Sequence, residues 1–75
     1  MNRKRLRKKL RKTLDEAVRN GGLSLYQKEI VLNDERAMED AKMMLGVYEP
    51  GKACMEATKL SLERWENGYD ERRPF

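Results

Sequence analysis

Asn20-Gly21-Gly22-Leu23-Ser24-Leu25-Tyr26-Gln27 decides the fold. Glycine adopts the left-handed conformation that ends helices at little steric cost, so Asn20-Gly21-Gly22 closes one helix. Two residues later, Ser24 and Gln27 stand at capping-box spacing. The Ser24 hydroxyl can accept from the Gln27 backbone N–H, and the Gln27 side chain can reach back to Ser24. A stop followed at once by a start predicts two helices joined by a short connection, which favours antiparallel neighbours.

Reading outward from this turn, the chain upstream is a basic amphipathic helix over 1–20. Downstream, a second helix runs over 24–45 and stops at Gly46. Glu49-Pro50 opens a third over 50–67, since proline is tolerated at the first helical position. Asn67-Gly68 closes it, and 69–75 is a tail ending in Arg72-Arg73-Pro74-Phe75. No region shows the alternation of a strand, and there is no internal repeat. The expected fold is all-α: a single small domain, 1–75, in a three-helix up-down-up arrangement.

The apolar stripes agree with this layout. Leu6, Leu10, Leu14, Ala17 and Val18 share one side of the first helix. The second offers Tyr26, Ile30, Ala37, Ala41 and Met44, with Asp34 interrupting the stripe. The third offers Ala53, Cys54, Ala57, Leu60, Ser61 and Trp65. The expected core is Leu10, Leu14, Ile30, Ala41, Leu60 and Trp65. Helices two and three carry apolar residues on more than one face, and a chain of 75 residues buries little core on its own. Both observations predict self-association, as a dimer or higher oligomer.

Staples are absent from the sequence. Cys54 is the one cysteine, and there is no histidine. That excludes an internal disulfide, the common structural zinc sites and a Cys-His nucleophile. The free thiol points to a reducing compartment, hence a cytoplasmic location. No apolar run approaches the ~20 residues that span a bilayer, and the basic start lacks the apolar region of a signal peptide. No acid/base, nucleophile or metal constellation is visible, so neither enzymatic activity nor a cofactor is expected. Asp34-Glu35 and Glu39-Asp40 read as a solvated acidic face with Arg36–Asp40 and Glu35–Lys42 as neighbours.

Charge is the strongest functional signal. Arg3, Lys4, Arg5, Arg7, Lys8, Lys9, Arg11 and Lys12 make eight basic residues in the first twelve, with no acid among them. The chain holds 17 Lys+Arg and 13 Asp+Glu, so this arm is +8 and the remainder is −4. Cations at a helix N-terminus oppose the macrodipole, and like charges at i,i+4, such as Arg7/Arg11 and Lys8/Lys12, repel. Asp15 and Glu16 follow their nearest bases in the weaker orientation. A local rule broken this consistently predicts an external partner that offsets it. Nucleic acid phosphates do so through counterion release.

The expected function is therefore a small non-enzymatic nucleic-acid-binding protein, with the eight arm residues on DNA or RNA. Scattered aromatics and the acids on helices two and three argue against a stacking platform or a base-reading helix-turn-helix. An arginine-rich helix in a groove of RNA or duplex DNA fits the arm. Three other readings compete. The arm is a solubilising face, an interfacial membrane helix, or a ligand of an acidic protein surface. A membrane is disfavoured by the narrow leucine stripe and the lack of Trp or Phe in the arm. The principal alternative is a small adaptor or inhibitor that docks on another protein, as accessory proteins of phages and mobile elements do by analogy of size and composition. Its contact residues would be Met38, Met43, Met44 and Trp65, a flexible thioether patch with an aromatic anchor.

Overall fold

A computed structural model describes residues 2–68. The readings placed on Met1 and on 69–75 lie outside the described residues. Within them the chain forms helices only: α1 (Arg3–Arg19), α2 (Leu25–Leu32), α3 (Glu35–Met44) and α4 (Pro50–Glu66).

The turn after α1 follows its sequence closely. Gly21 has φ +79°. The Gly22 N–H donates to Ala17 O (2.8 Å) and the Gly21 N–H to Val18 O (3.1 Å). This pair of bonds satisfies carbonyls that the helix end would otherwise leave open. Both halves of the capping box form at Ser24: Gln27 N–H to Ser24 Oγ (3.1 Å) and Ser24 N–H to Gln27 Oε1 (2.9 Å). Pro50 stands at the start of α4, and Gly68, with φ +77°, follows its end.

The expected helix over 24–45 is two helices, so the three-helix arrangement becomes one of four. The break falls at Asn33-Asp34, with no glycine or proline involved. Asn33 caps α2 at its C-terminus with φ −88° and ψ 0°. Asp34 is extended, with φ −97° and ψ 104°, and its Oδ1 accepts the Arg36 N–H (3.0 Å) as the N-cap of α3. The cap costs the chain little helix, because hydrogen bonding resumes with Ala37 N–H to Asp34 O (3.1 Å).

The break has a packing consequence. It lets Ile30 and Val31 of α2 and Ala37, Met38 and Ala41 of α3 all face inward. Residues that look two-sided on one long helix are covered within a single chain once that helix bends. The largest fully buried side chains come from α1 and α2: Leu6, Leu10, Leu14, Ile30 and Val31. The buried face of α4 is small: Ala53, Cys54, Ala57, Thr58 and Ser61. Small side chains let neighbouring helices come close, and α4 packs against all three others, most extensively α3.

Leu60 and Trp65 therefore depart from the expected core. Leu60 is 37% exposed, and Trp65 is half-buried against Tyr26, with ring centroids 5.8 Å apart. The inward phase of α4 is set by close approach, which selects Thr58 and Ser61 over the bulkier Leu60. Thr58 enters the interior because its hydroxyl donates to Cys54 O (2.8 Å), leaving no unmet donor.

Candidate nucleic-acid interface

Leu6, Leu10, Thr13 and Leu14 hold α1 to the body. Burying three leucines contributes about 1.5–3 kcal/mol each. Crowded cations near the helix start cost about 0.3–1 kcal/mol each. The leucines and the cap win. Asn2 supplies that cap, its side chain accepting the Arg5 N–H at 2.8 Å, a contact the residue type signals and the basic run obscures.

With the leucines inward, the cations point outward. Arg3, Lys4, Arg5, Arg7, Lys8, Arg11 and Lys12 are exposed, and Lys9 is half-buried. Lys4, Arg7, Lys8 and Arg11 line one shallow depression of about 330 Å³. Arg3 and Arg7 also lean to the side where α1 meets Asn33, Asp34 and Glu35, around a cleft of about 230 Å³. Lys9 lies on the opposite flank beside Glu49 and Gly51.

Among the described residues, no carboxylate forms an ion pair with any of the eight arm cations. Asp15, the acid nearest the arm in sequence, is engaged with Lys28 of α2 at 2.5 Å. Lys9 alone acts inward. Its charge lowers the pKa of Cys54, as does a hydrogen bond with Thr13, but burial dominates and pushes the thiol up.

A second charged cluster, which the sequence reading missed, borders the cleft that Arg3 and Arg7 line. Arg64 of α4 donates through Nη2 to Asp34 and through Nη1 to Asp40 Oδ2 (2.9 Å). Asp34 is 6% exposed as a residue. Burial of Arg64 works against its charge, but the hydrogen bonds to Asp34 and Asp40 outweigh it and raise its pKa. These contacts correct the expected Arg36–Asp40 neighbour pair and the solvated reading of Asp34. The acids are 24 and 30 residues from Arg64 in sequence, so no local signal joins them. The cluster is structural: it ties the N-terminus of α3 to α4.

Of the residues expected on a partner surface, Met38 lies in the core at 6% exposure and cannot head an exposed patch. Met44 is half-buried. Met43 is 77% exposed, near exposed Val47 and Tyr48 at the α3–α4 connection. The Lys52 ammonium sits 4.8 Å from the Tyr48 ring centroid. Among the described residues, no helix is long and apolar enough to cross a membrane.

No family model matches the chain, and no curated protein or solved structure matches it either.

Proposed function

We propose that this is a non-enzymatic nucleic-acid-binding protein whose α1 engages phosphates. The carrying observation is a set of seven exposed cations on a helix docked by its leucines, with no internal carboxylate paired to them among the described residues. A polyanion supplies the missing countercharge, and release of its counterions provides sequence-independent affinity.

The test is a salt titration against random-sequence DNA and RNA. The variant combines Lys4→Gln, Lys8→Gln, Arg11→Gln and Lys12→Gln, all exposed positions that leave the leucine stripe intact. Wild type is expected to bind at low salt. The variant should lose roughly one unit of log–log salt slope for each phosphate contact removed. Absence of wild-type binding at low salt removes the reading.

The alternative, an adaptor or inhibitor docking on another protein, draws on the exposed Met43, Val47 and Tyr48. Contact through these side chains, with a partner or a second copy, gives binding with weak salt dependence that Met43→Ser and Val47→Ser reduce. Light scattering reads the self-association case.

A further inference from the structure

We propose, resting on the phosphate-binding reading above, that α1 lies in the major groove of B-form duplex DNA, with one row of cations turned to each strand. Successive residues of a helix turn by about 100°. At this turn the direction opposite Leu6, Leu10 and Leu14 falls between Lys8 and Lys12, each about 20° from it. Lys4 and Arg11 flank on the side of Lys8, and Arg5 on the side of Lys12, while Arg7 turns back toward the cleft with Asp34 and Glu35. The flanks are separated by roughly a third of the helix circumference. One row suffices for a helix resting on one strand. Two rows facing apart match two phosphate walls.

The surroundings narrow the contact to a single helix width. Glu35 and Glu39 of α3 border the strip on the side of Arg3 and Arg7. Glu16 and Glu49 border it on the side of Lys9. These acids repel phosphates from a broader face, so the ligand must accept the outer arc of one helix. A helix with its side chains is about 10–12 Å across, and the major groove of B-form DNA is about 12 Å wide. The deep, narrow major groove of A-form RNA does not admit a helix backed by a folded body. The arm has no aromatic residue on which single-stranded bases could stack.

The experiment measures binding of the full chain to duplex DNA and duplex RNA of the same sequence and to single-stranded DNA of equal phosphate number. Duplex DNA is expected to bind about tenfold more tightly than duplex RNA, a preference that charge density does not supply, and more tightly than the single strand, where charge density also contributes. Dimethyl sulfate footprinting should show protection of guanine N7, which lies in the major groove. Lys4→Gln with Arg11→Gln, and separately Arg5→Gln with Lys12→Gln, should weaken duplex binding to a similar extent. Equal affinity for all three ligands, unprotected N7 or an effect confined to one row overturns groove insertion while leaving phosphate binding intact. No binding to any ligand defeats both.

Discussion

Two charged regions of this chain use the same residue types to opposite ends. On α1, seven of the eight arm cations are exposed, and none of the eight has a carboxylate partner among the described residues. At the α3–α4 contact, one cation, Arg64, serves two carboxylates, one of them almost fully buried. Where a charge has its partner inside the fold, its removal is felt as lost stability. Where the partner is external, its removal is felt as lost binding, with the fold indifferent or relieved. Sequence composition does not separate the two cases; the partners do.

The sharpest way to break this contrast is Arg64→Met. It leaves Asp34 buried without its countercharge, and breaking a buried pair in this way costs about 3–5 kcal/mol. That is comparable to the whole stability of a domain this small, so urea denaturation should find the variant largely unfolded or close to it. Adding Asp34→Asn should restore part of the loss, since asparagine still caps α3 without the charge. A loss below about 1 kcal/mol would place Arg64 with ordinary surface pairs and erase the distinction.

The opposite sign is expected on α1. Without nucleic acid, the quadruple glutamine variant at 4, 8, 11 and 12 should be more stable than wild type by about 1 kcal/mol, through relief of repulsion and of the unfavourable helix dipole. In a domain of this size that corresponds to roughly 4–8 °C in Tm. Added salt should raise the wild-type Tm and narrow the gap. A destabilised variant would mean that the arm cations have partners inside the fold.

Lys9, the half-buried cation of the arm, gives the smallest effect. Burial holds the Cys54 pKa above its ordinary 9.0, with Lys9 pulling it down. As pH rises through 9.0, the unfolded thiol gives up its proton before the folded one. The unfolded state then binds fewer protons, and stability falls until the folded thiol also ionises. Subtracting the profile of Cys54→Ala isolates this decline. Lys9→Gln should carry the decline to higher pH, with a change well below about 1 kcal/mol. An unchanged profile would return Lys9 to the outward-facing set.

Legibility in the sequence followed the range of the interactions. The turn at Asn20–Ser24 and the start at Pro50 are set by neighbours within a few residues, and both were readable. The bend at Asn33-Asp34 was half readable. Two residues that favour helix caps stand together there, but the apolar period runs through them and suggests one long helix. The inward turn of Asp34 depends on Arg64, which local reasoning cannot supply. The phase of α4 was readable in part: Ala53, Cys54, Ala57 and Ser61 of the expected stripe are buried, but Leu60 and Trp65 are not in the core. Ranking side chains by hydrophobicity selects Leu60 and Trp65, whereas close helix packing selects Thr58 beside Ser61. At the candidate interface, the exposure of the arm followed from its leucine spacing, while the inward lean of Lys9 and the burial of Met38 needed the assembled body.

The position of α4 as the common neighbour of the other three helices bears on the chain during its synthesis. Translation proceeds at about 5–20 residues per second, so α1 emerges seconds before the helix that completes its pocket. Through that interval the leucines of the arm are exposed beside its cations on a nascent chain still attached to an RNA-rich ribosome. The window closes only when Ser61 has cleared the exit tunnel.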